Sequence, residues 1–215
     1  MGKVLIFKDA DFSQNAIDGD KDYVLADSIT FDGSHYINLG RGLTQQSKVE
    51  ICFTPTVLAT GSQIISVCGV RTGTNLNQFD LRIIYKDSNN KFSINMVNTT
   101  VNPGYGIFSP LTINEMYTIA ADIKNNNISV NGVDYANQRN VTGFDTGNIN
   151  LYIGAYNDNG VINSGFTLFQ GKLKWIKIYD NETLSNYFHA ATIKVDGTPC
   201  LVDRQNDANK YYFVS

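Results

Sequence analysis

The sequence predicts an all-β chain, an antiparallel β-sandwich of jelly-roll type, on three observations. Short apolar or alternating runs recur along it with the period of two that a strand imposes by sending successive side chains to opposite faces. Asn, Asp and Gly gather between those runs, where hairpin turns need residues that tolerate positive φ. Helical periodicity is nearly absent from the 215 residues, and no Gly- or Pro-rich linker is long enough to divide them. Sandwiches commonly reach roughly 200 to 250 residues without dividing. A single domain over 1–215 is therefore expected, with 1–27 an N-terminal strand extension and 181–215 a C-terminal β extension packed on it.

The opening MGKVLIFKDADFSQ carries a short apolar run that Lys8, Asp9 and Asp11 interrupt before a signal-peptide core would be complete, so it reads as a first strand. Asp18, Asp20 and Asp22 in DGDKD resemble the start of a calcium loop. Tyr23 stands where an EF-hand needs glycine and no glutamate closes the loop, which favours a solvated acidic turn. Strands are then expected at ITF with HYINL, KVEICFT, QIISVCGV, QFDLRIIY with KFSINMV, MYTIAADIK with NISVNG, and NLYIGAY. Asp87-Ser88-Asn89-Asn90 and Lys124-Asn125-Asn126-Asn127 sit where hairpin turns are wanted, and NPGYGIFSP reads as a loop.

The stretch FQGKLKWIKIYDNETL changes phase in its middle. Leu173 and Trp175 share one parity, whereas Ile176 and Ile178 share the other. Either a β-bulge near Trp175 and Ile176 resets the register, or this is a central strand with apolar contacts on both faces. Asp180-Asn181 reads as a turn, after which Leu184, Asn186 and Phe188 complete a hairpin.

Composition narrows the partners. With 17 Lys plus Arg against 20 Asp plus Glu and no basic block, nucleic acid is not an expected partner. No segment approaches the ~20 apolar residues of a membrane helix, so no membrane insertion is expected. Cys52, Cys68 and Cys200 are too few and too scattered for a disulfide framework or zinc cluster, and read as buried thiols. A surface rich in Asn, Thr, Ser, Gly and Tyr suits sugar hydroxyls and also suits stable extracellular assemblies.

The succession ITFDGSHYINLG, SKVEICFTP, MYTIAADIKNNNISVNG, NLYIGAYNDNG and FQGKLKWIKIYD, over roughly Ser28 to Asp180, resembles the laminin G-like, concanavalin A-like lectin/glucanase superfamily. Phe31-Asp32-Gly33 matches its early Phe-Asp-Gly, and Gly171, Leu173, Ile176, Ile178 and Tyr179 match its closing strand. The resemblance implies core positions at Leu173, Ile176 and Ile178, with Trp175 pointing the other way beside Lys177 and Tyr179. The tail NYFHAATIKVDGTPCLVDRQNDANKYYF resembles an extension found in bacteriophage and gut-bacterial surface proteins, through Asp196-Gly197, Leu201, Asp203 and Tyr211 to Phe213. It implies a virion location, the alternative being a bacterial cell surface or signal-peptide-independent secretion. Other virion or surface proteins and further copies of the chain are then partners.

The superfamily's glucanases carry Glu-x-Asp-x-x-Glu on one strand, which places nucleophile and acid on one face. Only Glu50, Glu115 and Glu182 are present, in EICFTP, EMYTIA and ETLSNY, and none begins that pattern. His35 and His189 have no nucleophile motif around them. A non-catalytic glycan-binding or adhesion module of a virion appendage is therefore expected. A purely structural assembly domain and, third, a glycoside hydrolase are the alternatives. No organic cofactor is implied, and a structural calcium at the sandwich rim would have Asp32, Asp158 and Asn159 as conceivable donors. Sugar binding needs aromatic platforms and planar amides or carboxylates. Tyr105 and Phe108 in NPGYGIFSP, Tyr156, Asn157 and Asp158 in AYNDNG, and Trp175 form the expected carbohydrate-binding set.

Overall fold

In a computed structural model, which describes residues 21–73, 77–98, 101–136, 141–206 and 209–214, and side chains there except those of 101–109 and 136, every regular element is a strand. The first sheet contains β1 (Tyr23–Leu25), β2 (Ile29–Asp32), β4 (Ser47–Pro55), β9 (Tyr117–Asp122), β10 (Asn127–Val130), β11 (Val133–Ala136), β16 (Gln170–Asp180), β17 (Thr183–Ile193) and β18 (Pro199–Asp203). The second contains β3 (Tyr36–Asn38), β5 (Ile64–Arg71), β6 (Gln78–Lys86), β7 (Asn89–Asn98), β8 (Val101–Pro110), β12 (Tyr152–Ile153), β13 (Tyr156–Asp158), β14 (Val161–Ile162) and β15 (Thr167–Leu168). A last strand, β19 (Lys210–Val214), pairs with β18 through its first half and with β3 through its second, and so joins the two sheets along one side. Pairing is antiparallel except where β13 and β15 run parallel to β5. The fold is an antiparallel β-sandwich.

Each inner face supplies alternate apolar residues to one core. Val49, Ile51 and Phe53 of β4 and Ile119 and Ala121 of β9 meet Leu81 and Ile83 of β6 and Phe92, Ile94 and Met96 of β7. Phe53 packs edge-on against Phe92 at 5.6 Å and against Phe169 at 5.7 Å, which couples the sheets by aromatic contacts. Turn chemistry follows the sequence closely. Asp87 and Ser88 adopt φ of 53° and 63° between β6 and β7, and Asn126 and Asn131 each adopt 51° at the two turns flanking β10.

Two expectations need correction. NPGYGIFSP is not a loop: it forms β8, antiparallel to β7. Proline is tolerated because β8 has no second neighbour among the described residues and its ladder slips twice, between Lys91 and Ser93 and between Met96 and Asn98. The hairpin turn after β16 falls on Asn181 and Glu182, at φ of 48° and 69°, one residue later than the sequence suggested. The expected first strand in 1–14 and the acidic positions Asp18 and Asp20 lie outside the described residues, while Asp22 receives Lys210 Nζ at 2.7 Å.

The phase change in β16 is a bulge. Leu173 pairs with Phe53 and Trp175 with Cys52 of β4, so Lys174 has no opposite number. The insertion turns Trp175 outward while Leu173, Ile176 and Ile178 are 1 %, 0 % and 0 % exposed. β16 is also central, with β4 on one side and β2 followed by β17 on the other. Its far end is fixed by Arg41, which donates twice to Asp180 (2.9 and 3.0 Å) and once to Asn186 Oδ1 (2.5 Å). Asp180 also accepts from Ser47 Oγ and Ser185 Oγ. Burial works against the Asp180 carboxylate, but the donors of Ser185 and Arg41 hold its pKa below the usual value. The three thiols are free and buried, and burial pushes Cys68 up to about 12 and Cys200 up to about 11.

Candidate functional site

Outward residues of four adjacent strands in the first sheet stand in register. Thr118, Cys52, Trp175 and His189 form one row across β9, β4, β16 and β17; Ala120, Glu50, Lys177 and Tyr187 form the next; Asp122, Lys48, Tyr179 and Leu184 form the third. The pleat explains the arrangement, because the same strands send Ile119, Ile51, Ile176 and Phe188 inward from the positions between. All of the outward residues are partly exposed except Cys52, which is buried.

Lys177 organises the middle of this face. Its ammonium lies 4.9 Å from the ring centroid of Trp175 and 4.9 Å from that of Tyr187. Tyr187 in turn meets His189 edge-on at 5.8 Å. Beside them Glu50 receives Lys48 Nζ at 2.7 Å and the Tyr179 hydroxyl at 3.2 Å, and Lys48 lies 5.2 Å from the Tyr179 ring. Burial raises the pKa of both Tyr179 and Tyr187, so their hydroxyls remain hydrogen-bond donors at neutral pH. His189 Nδ1–H donates to its neighbour's carbonyl, Ala190 O, at 2.9 Å. Burial, with the nearby positive charges of Arg204 and Lys174, lowers the His189 pKa and keeps the ring neutral. The Cys52 thiol, between Thr118 and Trp175, is raised by burial and is not a poised nucleophile.

At the Tyr179 end the face runs into a cavity of about 190 Å³ lined by Lys48, Asp122, Lys124, Asn125, Tyr179 and Glu182. Its carboxylates serve the turns around it. Asp122 accepts from the Asn125 backbone N–H (3.0 Å) and side-chain amide (2.8 Å), and Glu182 pairs with Lys124 at 3.0 Å. The face thus offers aromatic surface, hydroxyl donors and cations. These are the groups that stack on sugar C–H surfaces and bind sugar oxygens.

The residues expected from the sequence fall in different places. Trp175 is on this face, with Lys177 and Tyr179 beside it. Tyr156 and Asn157 are each 1 % exposed, on the second sheet. The Tyr156 ring lies on Gly69, where any Cβ would collide with it, and stacks on Phe166 at 4.6 Å. Asn157 ties its loop together by donating to Asn150 O (2.6 Å) and accepting from Gly160 N–H (2.7 Å). Asp158 pairs with Arg71 and accepts from Asn163 at 2.9 Å, and the Arg71 contact holds its carboxyl below the usual range. The backbone of Tyr105 is opposite Asn95 in the β7–β8 ladder, and the side chains of Tyr105 and Phe108 lie outside the described residues. For the conceivable calcium donors, Asp32 is occupied by Ser34 and His35, and Asp158 by Arg71. No group of three or more His, Cys, Asp or Glu able to hold a metal occurs among the described residues. Tyr187 was not singled out from the sequence, and Glu50 and His189 were weighed there only as catalytic groups and set aside. The alternation in NYFHAAT, with Phe188 and Ala190 inward, is the signal that places Tyr187 and His189 beside Trp175.

No protein-family model matches the chain, and no curated protein matches it in sequence. Among solved structures, a native heptameric SAP-like pentraxin from Limulus polyphemus covers 72 % of this chain and 73 % of its own at 13 % identity, with a TM-score of 0.51. The Ruminococcus gnavus IT-sialidase CBM40 covers 74 % and 90 % at 17 % identity, with a TM-score of 0.47. Tailspike protein 2 from Escherichia coli O157:H7 bacteriophage CAB120 covers 73 % of this chain and 23 % of its own at 12 % identity, with a TM-score of 0.49. At such identities the likeness concerns the fold alone, a lectin-like jelly roll.

Proposed function

We propose that this protein is a non-catalytic glycan-binding module whose binding face is the outer surface of the first sheet around Trp175. The observation that carries the reading is the bulge at Lys174, which takes the only tryptophan out of the core phase and places it, partly exposed, on the outward face in the row next to Tyr187, Lys177 and Glu50. An indole beside a tyrosine on an open sheet face is a stacking platform for sugar rings. A non-catalytic role is supported by the engagement of nearby carboxylates in structural contacts: Glu50 with Lys48 and Tyr179, Glu182 with Lys124, Asp122 with Asn125. The setting we infer is a bacteriophage virion appendage, with a bacterial surface polysaccharide as target. That part rests on the resemblance of the tail sequence.

An array of bacterial surface polysaccharides tests the reading. Wild-type protein should bind at least one glycan, and Trp175→Ala and Tyr187→Ala should each lose that binding while keeping the β circular-dichroism spectrum. Binding that both variants retain, or no binding to any glycan on the array, would overturn it.

A further inference from the structure

The charges on the Trp175 face are not balanced, and their imbalance points to a class of glycan. The chain as a whole is acidic, at -3, yet Lys177 lies over the rings of Trp175 and Tyr187, and Lys174 and Arg204 lie near His189. The backbone N–H of Arg204 donates to Tyr187 O at 2.7 Å. Lys174 and Arg204 both act on His189 with positive charge, opposed there by Asp27. Glu50, the carboxylate in register with Lys177, is engaged by Lys48 and by the Tyr179 hydroxyl instead. Lys177 has no carboxylate partner among the described residues. Its ammonium lies over two aromatic rings, whose faces attract a cation. That places a cation with three donors against the rings on which a sugar would stack.

We infer that the face selects an acidic glycan, with the anionic group of one sugar residue on Lys177 and its ring against Trp175 or Tyr187. The inference rests on the glycan-binding reading and narrows it. A neutral sugar would leave the Lys177 ammonium with ring contacts only. A carboxylate or sulfate accepts charge-assisted hydrogen bonds from it, the stronger kind. Both anions share that chemistry, and the Lys174 charge adds to the attraction for either.

Affinity gel electrophoresis of the full chain tests this, with polygalacturonate, dextran sulfate or neutral dextran in the gel. Three variants accompany the wild type: Lys177→Gln, Lys177→Arg, and Lys86→Gln, which makes the same charge change at an exposed position on the second sheet. We expect retardation by an anionic polymer and none by dextran. It should weaken with added salt, because the screening length falls from about 10 Å at 0.1 M to about 3 Å at 1 M. Lys177→Gln should lower the affinity about tenfold, as loss of one charge-assisted contact implies. Lys177→Arg should retain it, and Lys86→Gln should match wild type. Retardation by polygalacturonate alone supports the inference with a carboxylated sugar as the ligand, and retardation by dextran sulfate as well supports it for anionic sugars generally. No retardation by either anionic polymer overturns it. So does an equal loss in Lys86→Gln, which would mean attraction by bulk charge. Retardation by dextran that Lys177→Gln leaves intact also overturns it, yet leaves the glycan-binding function standing.

Discussion

Replacing two neighbours on β16, Ile176 and Trp175, by alanine should have opposite consequences for stability and binding. Ile176 is 0 % exposed and stands in register between Ile51 and Phe188, both buried. Ile176→Ala removes three carbons from the core, about 2.4 kcal/mol at roughly 0.8 kcal/mol per buried methylene. Because β16 is hydrogen-bonded on both sides, its backbone cannot collapse into the space, and the cavity raises the cost to about 3 to 5 kcal/mol. Trp175 is partly exposed, and its truncation forfeits its cation–π contact, roughly 0.5 to 1 kcal/mol, and part of its apolar burial. We expect about 1 to 2 kcal/mol in total. Urea unfolding followed by circular dichroism, which does not need the indole, measures both. If Trp175→Ala costs as much as Ile176→Ala, or if Ile176→Ala costs less than about 1 kcal/mol, the bulge does not separate a core face from a binding face, and the reasoning fails.

Two further outcomes follow from the polar contacts around that strand. Asp180→Ala leaves the Arg41 guanidinium, Ser47 and Ser185 without their shared acceptor, so thermal unfolding should show a loss of about 2 to 4 kcal/mol. His189 has a folded-state pKa below its unfolded value, so the unfolded chain takes up the proton first as pH falls. Its contribution is complete above the unfolded pKa of about 6.5 and is lost as pH falls toward the folded value. Stability should decline as pH falls below about 6.5 in the wild type and decline less in His189→Asn, as denaturant midpoints at constant ionic strength will show.

Most strands were legible because their signals are local. Alternation in KVEICFT and KFSINMV, and Asn or Asp at the turns, fixes β4, β7 and the hairpin at Asp87-Ser88 without reference to the rest of the chain. β8 was not legible, since Pro103 and Pro110 are turn signals that only its position at the sheet edge overrides. For the candidate site, the phase conflict around Trp175 was visible, and the bulge at Lys174 accounts for it. The placement of Tyr156, Asn157 and Asp158 was not, because it depends on β13 folding parallel to β5 so that the Tyr156 ring covers Gly69. That contact is between residues 87 positions apart in sequence, and no local pattern announces it.

Emission from the single tryptophan offers the most direct measurement of where glycan binds. The protein is titrated with whichever polysaccharide retards it most strongly, and fluorescence is read at each addition. If the ligand stacks on the face described, the indole loses contact with water. The emission should then shift to the blue or be quenched saturably, with a midpoint matching the affinity from electrophoresis, and Lys177→Gln should move both midpoints together. Emission that stays unchanged while electrophoresis shows the protein saturated would place the glycan elsewhere and contradict the account.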